Sequence, residues 1–339
     1  MSWDRIRGHA AVKQTFQTAF TRGRLGQAYL LVGPEGVGKR LFAYELAKAL
    51  LCERPEGPLL ACDRCPACAQ VEARTHPDLH TVATPEGKHE LPIEEIRDFC
   101  SRLAHKPARG GRIIGIVEDA DDFNAASANG FLKTLEEPPP GVVLLLIATS
   151  TERQLPTIRS RCQVVRFGLL APNDLQAVLV EQGVDNPARL KQLIPLAGGR
   201  VSRALALNND IIWQVRNELI TGLTVERPQF ARLAEIWEQF VTDAGKDTAL
   251  QRMRCSVVIG FVVEALHRAL RIAVGAPLNP TDSQEDPQVR VLAQRYGPDR
   301  LMELIETCVE ADYRVERRVQ LILIIESVLD QLTQPVRAG

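Results

Sequence analysis

The stretch YLLVGPEGVGKR, residues 29–40, decides the fold of the first part of this chain. Four largely apolar residues, typical of a buried strand, lead directly into a glycine-rich turn, and a helical pattern follows. The turn matches the phosphate-binding pattern G-x-x-x-x-G-K-[ST] over seven positions. In that pattern, backbone N–H groups and the lysine bind phosphate oxygens. The strand before the turn and the helix after it favour this motif over an ordinary glycine-rich turn.

The residues of a phosphate site are present up to the last position of the motif. Gly33, Gly36 and Gly38 permit the tight turn, and Lys39 would reach the β and γ phosphate oxygens. The eighth position, however, is Arg40 instead of Ser or Thr. The missing hydroxyl normally helps to hold Mg²⁺, and a guanidinium cannot bind a cation. The sequence therefore predicts a phosphate loop with an impaired metal site.

A second departure lies at the end of the apolar run RIIGIVED, residues 112–119. A hydrolytic site would place Asp and then Glu here, whereas this chain has Glu118 followed by Asp119. The longer side chain reaches a different point, and the shorter one is poorly placed to act as a base for water. Two departures at the metal site predict weak or absent ATP hydrolysis.

Outward from this motif, apolar strands alternate with helical patterns up to residue 167. Near-continuous apolar strands separated by helices indicate a parallel sheet covered on both faces. We predict strands at 28–32, 79–83, 112–119, 142–150 and 163–167, and helices at 39–51, 93–104 and 125–137, after a helical segment within 1–26. Further helices are predicted at 172–183, 186–199, 200–207, 211–222, 227–243, 247–274 and, in one or two pieces, 297–334, with a polar loop at 275–288.

The composition is that of an ordinary globular protein. The chain has 339 residues, 45% of them hydrophobic, with 41 basic and 42 acidic residues. A near-zero net charge argues against a protein dedicated to coating nucleic acid. The sequence shows neither an apolar run of membrane-spanning length nor the pattern of a signal peptide at its beginning. We therefore expect a cytoplasmic location and no membrane partner.

Four of the eight cysteines are clustered as C-x9-C-x2-C-x2-C, at Cys52, Cys62, Cys65 and Cys68. Four thiolates suit a tetrahedral Zn²⁺ site, and closely spaced cysteines allow a short loop to present successive sulfurs to one ion. With no open coordination position, such a zinc would be structural. An Fe–S cluster or free cysteines are the alternatives.

Three segments resemble the AAA+ clamp-loader subunits of bacterial DNA polymerase III. They are QAYLLVGPEGVGK (27–39), NGFLKTLEEPP (129–139) and LLIATSTERQLPTIRSRC (145–162), and the likeness runs in order over at least residues 8–205. Within that family, the degenerate ATP site and the chain length favour the delta-prime type over the ATP-hydrolysing gamma/tau type. The family also carries a zinc module after the first helix of the sheet domain, where the cysteine cluster lies.

The resemblance implies roles for individual residues. Arg161 matches the arginine of a Ser-Arg-Cys motif, which acts as an arginine finger on the ATP of a neighbouring subunit; the alternative is an ordinary surface arginine. Thr149 matches the sensor-1 position at a strand end, where it can equally cap the next turn. The sensor-2 arginine of the ATPase subunits aligns with Ser202, with Arg203 one residue later, which is a third departure from a working ATP site.

The resemblance also implies an architecture and a function. We expect an AAA+ core at 1–167 with a zinc-binding insertion at 52–68, a helical lid domain at 168–208 and a helical collar at 209–339. The implied function is a subunit of the DNA polymerase III holoenzyme with little or no ATPase activity, which binds ATP weakly or not at all. Its partners would be gamma/tau and delta in a hetero-pentamer, and through them the sliding clamp and primer–template DNA.

Two other functions fit a phosphate loop. One is an ATP-hydrolysing motor of the gamma/tau type, which would have to hold Mg²⁺ without the hydroxyl at position 40. The other is a nucleotide kinase, which needs a phosphate-acceptor site and an arginine-rich lid inside the core, and the sequence shows neither.

Overall fold

The structure is a computed structural model that describes residues 2–109, 111–245, 248–276, 287–317 and 319–334. It divides into two compact units. The first contains the residues up to Val184 together with Gly198–Ser202, and the second contains Asp185–Ala197 together with the residues from Arg203 onward. The division into three domains stays a prediction.

The first unit is built on a parallel five-stranded sheet in the order β2-β3-β4-β1-β5. Its register places Leu30 of β1 opposite Leu146 of β4 and Val164 of β5. The strands lie close to their predicted positions: β1 is Ala28–Val32, β2 is Leu79–Val82, β3 is Ile113–Val117, β4 is Val142–Ala148 and β5 is Gln163–Arg166. Every residue of β1, β3 and β4 is buried, as expected for strands covered on both faces.

Helices cover both faces of this sheet. Alternate residues of β1 belong to two different hydrophobic clusters, Leu31 to one and Leu30 to the other. The first unit contains helices α1 (Ala10–Thr21), α2 (Lys39–Leu51), α3 (Pro66–Glu72), α4 (Ile93–Leu103), α5 (Ala125–Glu136), α6 (Pro156–Arg159) and α7 (Pro172–Glu181). The sheet with its two helical layers confirms the predicted fold class for this part of the chain.

Apolar contacts anchor the cysteine-rich insertion to the first unit. Helix α3 was not predicted, and Leu59 and Val71, 1% and 2% exposed, belong to the hydrophobic cluster of the first unit. The indole N–H of Trp3 also donates a hydrogen bond to the carbonyl oxygen of Leu59. Burial of apolar residues therefore helps to hold this insertion, in addition to any metal.

The second unit is helical in the part that the structure describes. Its helices are α8 (Pro187–Ala197), α9 (Val201–Leu207, whose first two residues belong to the first unit), α10 (Asp210–Thr224), α11 (Phe230–Thr242), α12 (Thr248–Ala273), α13 (Pro287–Glu316, interrupted at Gly297) and α14 (Leu321–Thr333). Of the apolar stripe in α14, Ile325 and Val328 are buried, whereas Ile322 is 40% exposed. Most of the predicted loop at 275–288 lies outside the described residues.

Within the described ranges, we find no helix with the length and apolarity required to span a bilayer.

Candidate functional site

The phosphate loop connects β1 to α2 at the carboxyl edge of the sheet. Strand β1 lies between β4 and β5, so the connections from β1 and from its neighbours diverge at this edge, where open α/β sheets bind their ligands. Gly33 allows close packing, because a Cβ there would overlap the carbonyl oxygen of Phe167. Gly36, with φ of 74°, adopts a left-handed conformation that favours glycine.

Lys39 is turned back onto its own loop. Its ammonium donates to the carbonyl oxygens of Gly33 and Pro34, with a distance of 2.7 Å to Pro34. The residue is 6% exposed, and burial lowers the pKa of the ammonium group from its ordinary value to about 8. The donor that would bind phosphate is thus satisfied by the protein itself.

Arg40 and Glu118 pair with each other. The Arg40 guanidinium forms a salt bridge with the Glu118 carboxylate, whose side chain is 6% exposed. The Tyr44 hydroxyl donates to the same carboxylate, and burial together with this acid raises the pKa of Tyr44 to about 12. The two departures seen in the sequence are therefore linked, because the arginine supplies the positive charge beside the acid at the end of β3.

The acids that follow Glu118 are also engaged by the protein. One Asp119 carboxylate oxygen accepts from the backbone N–H of Thr84 at 3.0 Å. Asp121, which the sequence motifs do not single out, accepts from the backbone N–H of Thr149 at 2.7 Å. The Thr149 hydroxyl is buried without a hydrogen-bond partner. The structure thus bonds the predicted sensor-1 residue, through its backbone N–H, to Asp121.

The beginning of α9 contacts the phosphate loop. The backbone N–H of Val201 donates to the carbonyl oxygen of Gly36 at 2.8 Å, and a Cβ on Gly36 would overlap the Ser202 hydroxyl. Arg203 belongs to the second unit, where its guanidinium lies against Gly260 of α12. Ser202, the residue aligned with the sensor-2 arginine, therefore lies beside Gly36 of the loop.

The four clustered cysteines converge. Their sulfurs all lie within 4.8 Å of one another, and Cys52 Sγ is 3.6 Å from Cys62 Sγ and 3.9 Å from Cys65 Sγ. A tetrahedral ion with Zn–S bonds of ~2.3 Å requires S···S separations of about 3.8 Å. The group can therefore hold a metal ion, and the two separations from Cys52 Sγ lie close to this value.

Local backbone geometry builds this cluster. Cys52 caps the end of α2, and Cys65 caps the beginning of α3, where its Sγ accepts from the backbone N–H of Cys68 at 3.4 Å. Asp63, with φ of 56°, makes the turn between Cys62 and Cys65. Backbone N–H groups, that of Arg64 foremost, lower the pKa of the Cys62 thiol to about 6, whereas burial raises the pKa of the Cys52 and Cys68 thiols.

A charge network around buried Lys48 joins the cluster to α2. Lys48 is 4% exposed, and its ammonium lies 3.0 Å from Glu45, 2.9 Å from Asp63 and 3.2 Å from Glu72. The helix that begins at Lys39 is therefore fixed to the turn of the cysteine cluster by ion pairs as well as by Cys52.

Arg161 lies just beyond helix α6. Its Nε and Nη2 donate to one Glu136 carboxylate oxygen at 2.9 and 2.5 Å, and its Nη1 donates to the carbonyl oxygen of Thr157 at 2.9 Å. The side chains of Arg161 and Glu136 are 32% and 48% exposed. The guanidinium is oriented by these contacts and still reaches solvent.

Comparison with known proteins identifies relatives of this chain. The family model described as DNA polymerase III, delta subunit, matches residues 8–171. The DNA polymerase III subunit delta' of Pseudomonas aeruginosa is 35% identical over 220 residues, which are 64% of this chain and 67% of that protein. The subunit delta' of Escherichia coli is 35% identical over 62% of this chain and 63% of its own length.

More distant similarity extends further along the chain. The DNA polymerase III subunit tau of Salmonella typhimurium is 28% identical over 88% of this chain and 49% of that protein. A solved structure of a gamma subunit-related protein from Thermotoga maritima covers 94% of this chain and 98% of its own, with 19% identity and a TM-score of 0.46.

Proposed function

We propose that this chain, which belongs to the family of DNA polymerase III subunits delta', is a clamp-loader subunit without a working ATPase site that acts on the nucleotide of a neighbouring subunit. One contrast carries the proposal. The groups that would serve a nucleotide in this chain, Lys39, Arg40 and Glu118, are bonded to one another or to their own loop. Arg161, in contrast, pairs with Glu136, whose side chain is 48% exposed, whereas the side chain of Glu118 is 6% exposed.

The proposed partners follow from the family. This chain would assemble with gamma/tau and delta subunits in a hetero-pentamer and, through that complex, act on the sliding clamp and primer–template DNA. We assign residues 1–167 to the AAA+ core, 168–208 to the lid and 209–339 to the collar that joins the subunits. Within the core, Gly33, Gly36, Gly38, Lys39 and Thr149 form the remnant of a nucleotide site that binds ATP weakly or not at all.

For the cysteine cluster we propose a structural zinc ion held by Cys52, Cys62, Cys65 and Cys68. The separations of Cys52 Sγ from Cys62 Sγ and Cys65 Sγ support zinc, because they are close to those of a tetrahedral tetrathiolate site. Since all four ligands come from the protein, no position remains for a substrate. The ion would hold the insertion at 52–68 against the end of α2.

The alternative is an ATP-hydrolysing motor of the gamma/tau type. The similarity to subunit tau over 88% of this chain favours it. Hydrolysis, however, requires a metal held beside the loop, and the Arg40 guanidinium occupies the neighbourhood of the strand-end acid Glu118. The two proposals differ in one measurement on the isolated chain, the release of phosphate from Mg²⁺-ATP. We expect no turnover, and a Mg²⁺-dependent rate that Lys39→Ala abolishes would favour the motor.

Arg161 has the chemistry for a role in trans. A guanidinium is always charged and planar, so it can donate two hydrogen bonds to a phosphate. In the isolated chain it donates two bonds to Glu136, a carboxylate that presents similar acceptors. Exchange of that exposed carboxylate for a neighbour's γ-phosphate would keep the guanidinium charge paired.

The decisive experiment is made on the assembled pentamer. Arg161→Ala should lower DNA-stimulated ATP hydrolysis and clamp loading by at least about tenfold, because an arginine finger is worth ~10³–10⁵ at a single site. Arg161→Lys should restore little, since an ammonium lacks the planar pair of donors. Neighbouring Arg159→Ala, exposed on α6, is the matched control and should load normally. Loading at the wild-type rate by an Arg161→Ala complex would disprove the role in trans.

A further inference from the structure

We propose that Asp121 is a positioning residue for Arg161, holding in place the segment from Thr149 to Arg161. This inference rests on the proposed function, since it assigns Asp121 to the action of Arg161 on a neighbouring nucleotide. Asp121 belongs to no motif of the phosphate site, because it lies beyond the two acids at the end of β3. The structure assigns it through its contacts.

One carboxylate holds both ends of a loop. Asp121 lies in the short 3-10 turn Ala120–Asp122 that follows β3. One of its oxygens accepts from the backbone N–H of Thr149 at 2.7 Å, and the other accepts from the side-chain amide of Gln154 at 2.8 Å. Thr149 directly follows β4, and Gln154, 4% exposed, precedes the cap of α6. The path of residues 149–154 is therefore fixed by a group outside the loop.

The connection from Gln154 to Arg161 is short and well packed. Pro156 begins α6, and Ile158 is fully buried in the hydrophobic cluster beneath it. The backbone N–H of Arg161 donates to the carbonyl oxygen of Ile158 at 3.1 Å. Because little freedom remains between these anchors, the position of Gln154 determines where the Arg161 guanidinium lies.

Asp121 has one other conceivable role, as a negative charge that acts on buried Lys39. The two roles differ in what Asn would do at this position. An Asn side chain can accept from Thr149 N–H and donate to the Gln154 Oε1, which is buried without a hydrogen-bond partner. After a flip of the Gln154 amide, Asp121→Asn would keep both hydrogen bonds and lose the charge, while the Gln154 side-chain N–H₂ group would take the buried position of Oε1. If Asp121 acts by positioning, the Asp121→Asn complex should load clamps normally. If it acts through its charge, the Asp121→Asn complex should load slowly.

The test compares assembled pentamers that carry one variant chain each. Asp121→Ala should slow clamp loading by about tenfold, because a misplacement of ~1 Å can cost up to ~10²-fold in rate. Asp121→Asn should load normally, and so should the control Glu152→Ala, an exposed acid in the same loop. Combining Asp121→Ala with Arg161→Ala should slow loading no further than Arg161→Ala alone, because residues that act through one another are not additive.

Folding and assembly are measured separately, by the thermal midpoint of the isolated chain and by size-exclusion chromatography of the pentamer. If Asp121→Ala fails to assemble, Gln154→Leu removes the other partner of the same bond and should slow loading in its place. This inference alone is overturned if Asp121→Ala or Gln154→Leu loads normally while Arg161→Ala loads slowly. It is also overturned if the Asp121→Asn complex is as slow as the Asp121→Ala complex. Normal loading by Arg161→Ala overturns the proposed function itself.

Discussion

The phosphate loop and the cysteine cluster lie at opposite ends of one helix, α2. The polar groups of the loop are bonded within the protein, whereas the thiols of the cluster converge as metal ligands would. At the beginning of the helix, the Lys39 ammonium is bonded to its own loop and Arg40 pairs with Glu118. At its end, Cys52 and three further thiols point toward a common centre. The loop has satisfied its groups internally, whereas the cluster leaves four sulfur ligands for an ion.

The difference shows how a site that can bind its ligand is distinguished from one that only retains the sequence motif. A motif states which groups are present, but a ligand competes with whatever partners those groups already have. Exchanging a protein hydrogen bond for one to a ligand yields little net free energy. The four sulfurs, all within 4.8 Å of one another, have no partners of comparable strength, so a metal ion would gain nearly the full binding free energy.

Removal of zinc should destabilise the folded chain more than any single substitution in the phosphate loop. We expect about one Zn²⁺ per chain, and Cys65→Ser should lower that content, because three thiolates bind zinc less tightly than four. Loss of the ion should lower the free energy of unfolding by about 4 kcal/mol when free zinc is a thousandfold above its Kd. Metal analysis and denaturant unfolding, with and without chelator, measure both quantities.

Cys100→Ser is the matched control, since Cys100 lies on α4 outside the cluster. It should keep the zinc content of the natural chain. Freshly prepared, reduced protein without zinc would contradict the metal assignment and remove the contrast between the two ends of α2.

The closed state of the phosphate loop can be tested by steric substitution. Gly36→Ala should lower the free energy of unfolding by roughly 3 kcal/mol, because the methyl group adds backbone strain and overlaps the Ser202 hydroxyl. Gly38→Ala, in the same loop, also has a positive φ but meets no atom within 4 Å, so it should cost only roughly 1 kcal/mol. Denaturant unfolding of the two variants gives the comparison.

Ser202→Gly, added to Gly36→Ala, should recover most of the difference between those variants. Equal destabilisation by Gly36→Ala and Gly38→Ala would show that α9 does not press on the loop in solution. The phosphate loop would then be accessible to a ligand, and the difference between the two ends of α2 would be smaller than proposed.

The sequence predicted the features that depend on neighbouring residues. The strands were predictable because continuous apolar runs such as 142–148 are typical of strands buried on both faces. The cysteine cluster was predictable because four closely spaced cysteines can converge in a short insertion. Helix α3 was missed, because its seven residues carry too few turns to show a helical period. The contacts of Asp121 and Tyr44 were also missed, since each joins residues far apart in the chain.

The smallest expected effect concerns Lys39. Its titration measures directly whether the ammonium group is buried and bonded within the loop. Its pKa is lowered to about 8 from an ordinary 10.5 because burial disfavours the charged form. Below about pH 8, both the folded and the unfolded chain hold this proton, and the full cost of burying the charge is present. As the pH rises from about 8 toward about 10, the folded chain releases the proton first and that cost declines.

Stability contributed by this position should therefore rise with pH, by about 1–2 kcal/mol over that interval. The measurement is the free energy of unfolding of the natural chain minus that of Lys39→Met, between about pH 7 and about pH 10. Other titrating groups cancel in this difference, and Lys133→Met, exposed on α5, controls for the loss of a lysine in general. A difference that does not change with pH would mean that Lys39 is solvated and free to meet a phosphate. The loop would then have kept its main phosphate donor, and the contrast between the two ends of α2 would rest on Arg40 and Glu118 alone.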